Sequence, residues 1–161
     1  MRAAAHPVPS TAPCLEDFTV GQTYVTRGRT VTETHLVLFT GLTGIQTPFF
    51  VDHEYARAHT RFGSAIVPGF LTASVSGGLL ETVLGANVVA GKAMDEFRFS
   101  APVRPGDSLH AEVSIEDVAY DHADRGTLCV GVRVLNQHGE QVLRYRAQVV
   151  MKRRAPVPTH P

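Results

Sequence analysis

The chain has 161 residues, 43% of them apolar and 19% charged, which suffices for one hydrophobic core and falls short of two ordinary domains. Fifteen basic side chains balance fifteen acidic ones, so no broad electropositive field exists to draw a nucleic acid or an anionic membrane. Cys14 and Cys129 show neither metal-ligand spacing nor a framework of bridges, which suits a reducing, cytoplasmic setting, and no apolar run reaches the ~18 residues of a membrane span.

Residues 1–14 are dominated by Ala and Pro and lack the continuous apolar stretch of a secretory signal, so a disordered leader is expected there. From Tyr24 to Val31 the chain is rich in Val, Thr and Tyr and reads as a strand. Thr32 followed by Glu33 reads as a helix cap with an acid in the first turn. The helix it opens carries Leu36, Phe39 and Leu42 on one stripe and ends at Gly41 and Gly44. A loop from Gly44 to Val51 holds Pro48, and Asp52 is placed to cap a short helix running through His59, before Gly63 breaks the chain.

The run from Gly69 to Leu84, GFLTASVSGGLLETVL, has helix length, with Leu71, Val75, Leu79 and Val83 on one side and Ala73, Gly77 and Leu80 on a neighbouring strip. Nearly apolar all round, it is predicted to lie inside, its small residues Ala73, Ser74, Ser76, Gly77 and Gly78 letting a sheet approach the backbone. After Ala93 the period becomes two: Phe97 and Phe99, then Leu109 to Ile115, then Leu128 to Val134 alternate with polar or small residues, as half-buried strands do. The segment NQHGE, Asn136 to Glu140, suits a hairpin loop, and Val142 to Met151 reads as the returning strand. The proline-rich tail, residues 152–161, is expected to be disordered. One buried helix and about five long antiparallel strands give an α+β class, a hot-dog fold in which the sheet wraps a long central helix, as a single domain over residues 15–151.

Three stretches, GRTVTETHLVLFTGLTG (28–44), FGSAIVPGFLTAS (62–74) and FRFSAPVRPGD (97–107), together resemble the MaoC-like (R)-specific enoyl-CoA hydratases and dehydratases, a hot-dog family. The resemblance implies an acyl thioester substrate on CoA or on an acyl carrier protein, no cofactor, and a homodimer or a heterodimer with a related chain. It also implies a loop reading Gly-Asp-x-Asn-Pro-x-His-x-Asp, in which Asp and His act on water or on the α-proton. Laid without gaps on Gly44, Pro48 and Asp52, this chain puts Ile45 at the Asp, Thr47 at the Asn and Phe50 at the His; Pro68 stands where a second His precedes the helix glycine. Neither Ile nor Phe titrates or accepts a hydrogen bond, so this loop does not support the ordinary hydratase mechanism. Gly69 is retained, and its N–H at the positive end of the helix can still polarise a thioester carbonyl. Ile45, Phe49 and Phe50, with Ile66, Pro68, Gly69 and Phe70 at the helix entry, are expected to line a dry substrate-binding tunnel.

Gln46 and Thr47 are the polar side chains left in that loop and can position water, although neither is a base; His53, beside Asp52, is the third catalytic candidate. The plainer roles are loop stabilisation for Gln46 and Thr47, a helix cap for Asp52 and an exposed first-turn position for His53. His53 and His59 are six apart, whereas a zinc-protease helix needs four, so no metal site is expected. Thr40 and Thr43 can face the pocket or bond back to their own turn. Glu81 lies ~18 Å along the helix from Gly69, too far for a thioesterase carboxylate beside the carbonyl. Arg57, Arg61, Arg98 and Arg104 can reach phosphates of CoA or of a carrier arm, or be scattered surface charges. The expected function is hydration or dehydration of an acyl thioester by a rebuilt site. The alternatives are a non-catalytic acyl-binding subunit of a heteromeric dehydratase, or an enzyme that adds another nucleophile or hydrolyses the thioester.

Overall fold

Alternation of period two in the C-terminal half builds long antiparallel strands, and the apolar helix ahead of them supplies the face they cover. In a computed structural model, which describes residues 6–9 and 12–154, the chain begins with two short strands, β1 (Thr23–Val25) and β2 (Arg29–Thr30). Three helices follow, α1 (Glu33–Thr43), α2 (Pro48–Val51) and α3 (His53–His59), and then the long α4 (Gly69–Leu84). Four long strands complete the domain: β3 (Val88–Phe99), β4 (Ser108–Ala119), β5 (Arg125–Leu135) and β6 (Gln141–Lys152). The sheet order is β1-β4-β5-β6-β3, antiparallel throughout, with β2 pairing the start of β4.

The core lies between α4 and the sheet. Leu71, Val75, Leu79 and Val83 are buried with Leu109, Ala111, Val113 and Ile115 of β4, Leu128, Val130, Val132 and Val134 of β5, and Leu143, Tyr145 and Ala147 of β6. Residues Gly69–Asn87 are long and apolar enough by composition to cross a bilayer, but this is the core helix of the fold.

Both expected caps are present. The Thr32 hydroxyl accepts from His35 N, and Asp52 Oδ1 accepts from Tyr55 N at 2.9 Å. Gly44 ends α1 in the left-handed region at φ 70°, a conformation glycine adopts without strain. In the hairpin, Asn136 Oδ1 accepts from the backbone of His138 and Glu140, both at 3.0 Å, and Gly139 takes φ 76°.

Several expectations need correction. The strand expected over Tyr24 to Val31 is split into β1 and β2. Between them the Ala111 N–H donates to the Thr26 hydroxyl at 2.9 Å, so a side chain replaces a backbone acceptor of the ladder. Leu42 is 86% exposed. It comes six residues after buried Leu36, about two-thirds of a turn round at ~100° per residue, and Thr40 takes its place inside. The small residues of α4 are not all sheet-facing: Ser74 and Gly78 point outward, and Ser76 is buried. Proline 48 opens a short helix within the expected loop. β3 is exposed along most of its length instead of alternating, because it forms one edge of the sheet and carries irregularities in its pairing with β6.

The expected leader and tail lie in part outside the described residues. Inside them, His6 N donates to Thr23 O at 2.8 Å, Pro13 is buried, and Asn87 Nδ2 donates to Ala12 O at 3.1 Å. Arg153 Nε donates to Glu16 Oε1 at 3.0 Å, tying the two ends of the described chain together.

Candidate functional site

The helix entry is built by strapping residues 62–67 to the segment that follows β3. Val67 N donates to Val103 O at 2.7 Å. Arg104 donates through Nε to Ser64 Oγ at 2.9 Å and through Nη2 to Phe62 O at 3.0 Å. The Pro-Gly-Asp turn holds that segment in place: Gly106 has φ 99°, and Asp107 Oδ2 accepts from Arg104 N at 2.7 Å.

A cavity of about 430 Å³ opens beside this strap. Its walls are Phe50, Phe62, Ile66, Val67 and Phe70 on one side and Phe99, Ser100 to Val103 and Val142 on the other, with Gly69, Thr72 and Arg61 completing them. Gly69 is the first residue of α4, whose N-cap is Pro68. Pro68 O already accepts from Leu71 N at 3.0 Å and Thr72 N at 3.1 Å, while the N–H groups at the helix start have no acceptor within the helix. Gly69 and Phe70 line the cavity at the positive end of the helix dipole. A Cβ on Gly69 would stand 3.0 Å from the Phe99 ring, so a side chain there would push the ring back by a few tenths of an ångström.

Of the residues expected to bind substrate, Phe50, Ile66, Gly69 and Phe70 line this cavity. Phe49 stands behind them, its ring 4.4 Å edge-on from Phe50 and 6.2 Å from Phe62. Ile45 is half-buried in the loop after α1 and Pro68 is buried at the helix cap; neither lines the cavity. The expected catalytic residues are not gathered there. Gln46 and Thr47 are exposed on the loop before α2, and Thr47 makes no side-chain capping bond. The His53 ring meets Glu33 at 3.0 Å, joining the starts of α3 and α1, with 59% of its side chain exposed. Thr40 and Thr43 bond back to Leu36 O and Phe39 O, and Glu81 is exposed.

Sequence reasoning missed the second wall, from Phe99 to Val103 with Val142, together with Phe62, Val67 and Thr72. The signal was present in part, because FRFSAPVRPGD was singled out as a strand and turn. Its approach to residues 62–67 depends on long-range pairing of β3 with β6. Among the described residues lining the cavity there is no carboxylate and no histidine; Arg61 alone carries charge. The arrangement can therefore hold an apolar group and polarise a carbonyl, and its walls supply no general base.

A sequence model of the family described as "MaoC like domain" matches residues 17–137. The chain is 31% identical over 154 residues to the mesaconyl-CoA hydratase of Cereibacter sphaeroides, covering 91% of this chain and 45% of that protein, so it spans about half the relative's length. It superposes on the crystal structure of a MaoC-like dehydratase from Rhodospirillum rubrum with a TM-score of 0.77 and 33% identity, covering 90% of this chain and 99% of the other. A conserved hypothetical protein of Mycobacterium tuberculosis with a double hotdog fold shares the architecture at a TM-score of 0.79 and 16% identity, over 92% of this chain and 47% of its own. The α+β hot-dog architecture, the family match and these likenesses agree, and the chain belongs to the MaoC-like dehydratase and hydratase family.

Proposed function

We propose that the chain binds an acyl thioester, carried on CoA or on an acyl carrier protein, and serves its hydration or dehydration with a rebuilt site. The observation that carries this reading is the cavity itself. Gly69, whose N–H is among those at the start of α4 without an acceptor in the helix, lines a space of about 430 Å³ walled by Phe50, Phe62, Ile66, Phe70 and Phe99. A thioester carbonyl seated on those N–H groups gains stabilisation as negative charge develops on its oxygen, and the aromatic walls keep the acyl chain dry. The relatives named for hydratase and dehydratase activity support the same substrate class.

Proton transfer must come from outside the cavity walls. On this chain the titratable candidate is His53, while Gln46 and Thr47, just before α2, can only position water. The lack of a base among the described lining residues favours one second reading: a subunit that holds the acyl group while a related chain supplies the acid and base. In either case we propose a dimer, formed along the exposed β3 edge.

The test uses the purified chain alone with crotonyl-CoA and 3-hydroxybutyryl-CoA, followed by intact mass for the ~18 Da gain or loss of water and by absorbance of the conjugated thioester. Turnover that disappears in Gln46→Ala, Thr47→Ala or His53→Ala is the expected result for the rebuilt site. Binding without turnover would favour the acyl-holding subunit, and no binding would remove both readings.

A further inference from the structure

Arg61 is the one charged side chain among the described residues on a cavity wall that is otherwise aromatic, aliphatic or hydroxyl-bearing. Its guanidinium carbon stands 5.3 Å from the centre of the adjacent Phe62 ring, and the side chain is exposed, so its donors are open to a ligand. The neighbouring arginines are committed elsewhere: Arg57 pairs with Glu54, Arg98 donates to Phe97 O at 2.9 Å, and Arg104 straps the helix entry. No carboxylate of the described residues pairs with Arg61. An exposed guanidinium with free donors at the edge of an apolar cavity suits a planar anion held at two points.

The size of the cavity limits which anion that can be. A sphere of its volume of about 430 Å³ is about 9 Å across. The pantetheine arm of CoA is comparable to about four extended peptide units and spans roughly 14 Å. With the thioester carbonyl at Gly69 and the arm extended, the CoA phosphates lie farther from Gly69 than the cavity is wide, whereas the far end of a short acyl chain lies within that width.

We propose that Arg61 selects acyl thioesters whose acyl chain ends in a carboxylate, which its guanidinium holds through charge-assisted hydrogen bonds. The assignment rests on the acyl-thioester reading above. Its test is calorimetric binding to the full chain of three saturated ligands that can neither gain nor lose water: butanoyl-CoA, freshly prepared succinyl-CoA, and butanoyl-pantetheine, which lacks the phosphates. Butanoyl-CoA and succinyl-CoA match in chain length and differ in the terminal carboxylate. The expected result is tighter binding of succinyl-CoA by the wild type. Arg61→Met should then weaken succinyl-CoA by about tenfold or more and butanoyl-CoA by less than about twofold, with Arg61→Lys in between. Equal loss for both CoA thioesters with none for butanoyl-pantetheine would move Arg61 to the phosphates and overturn the assignment. Unchanged affinity for all three, or no wild-type preference for succinyl-CoA, would also overturn it. If the wild type binds none of the three, the thioester reading itself fails and this assignment with it.

Discussion

Ser76 Oγ and Tyr145 Oη lie 2.9 Å apart beneath α4, the helix side chain at 0% and the strand side chain at 2% exposure. Burial pushes the Tyr145 phenol above its ordinary range, and the bond from Ser76 partly opposes it, so the ring stays neutral. Phe97 stacks on Tyr145 at 4.9 Å with the planes 7° apart, which fixes the ring over the bond. Removing either hydroxyl leaves the other buried and unpaired. Tyr145→Phe and Ser76→Ala are each expected to cost about 1–2 kcal/mol in urea unfolding, and the double variant about 1 kcal/mol less than their sum. Additivity in that cycle would show that the two hydroxyls do not act as a pair.

At the scale of elements, two glycines of β5 illustrate opposite reasons for lacking a side chain. A Cβ on Gly126 would fall on the carbonyl oxygen of Ala119 and on the Leu15 side chain, so backbone would have to give way. A Cβ on Gly131 would meet only the ends of Glu116 and Ser114, which can turn aside. Gly126→Ala is therefore expected to cost roughly 3 kcal/mol, and Gly131→Ala under about 1 kcal/mol, in denaturant midpoints. The smaller loss would come from freeing Glu116, which now accepts from Arg146 Nε at 2.7 Å across the bare Gly131.

The same contrast between local and distant causes explains what was legible beforehand. The caps at Thr32 and Asp52, the exact span of α4 from Gly69 to Leu84, and the turn at Asn136 to Glu140 all depend on neighbours a few residues away, and the sequence announces them. The buried faces of β4 and β5 follow from simple alternation. The cavity is different. Its walls join residues 50–72 to residues 99–103 and Val142, and that meeting is decided by the register of β3 on β6, which no local pattern encodes. For the same reason Ile45 and Pro68 look like wall residues in the sequence and lie behind the wall in the fold.

Across the whole molecule, the two ends of the described chain meet in a charged clasp. Arg154 N donates to Glu16 Oε2 at 2.9 Å, and its guanidinium reaches Asp17. The Cys14 N–H first, and Arg154 second, hold the Asp17 carboxyl below the ordinary carboxylate range. Because the folded value is the lower one, the unfolded chain binds the proton first as pH falls. The stabilisation is present above the ordinary carboxylate value, ~4, and is lost as pH drops through the folded value. The midpoint of thermal unfolding should fall on acidification from about pH 5 to about pH 3, and less steeply in Asp17→Asn. The effect should be small, since both partners are solvent-exposed. Parallel curves for the two proteins would remove the clasp from the account.

Assembly belongs to this scale as well. Val89, Met94 and Phe99 on β3 are each 50% exposed, an unusual amount of apolar surface along one sheet edge. The proposed dimer places it in the interface, and Met94→Glu is expected to shift sedimentation of the chain from dimer to monomer. A wild-type monomer, or a variant that still dimerises, would place any interface elsewhere.

The pairing of β3 with β6 shifts register between Val88 and Ala90, between Gly91 and Ala93, and between Asp95 and Arg98, where Glu96 takes φ 55°. No regular stretch longer than Ala93 to Asp95 remains on the strand that borders the sheet. Each bulge turns the strand and re-aims its free N–H and C=O groups. A border kinked in this way can be matched by a neighbour with the same kinks, as two-fold symmetry provides, yet it offers no flat template on which chain after chain could stack into a fibril.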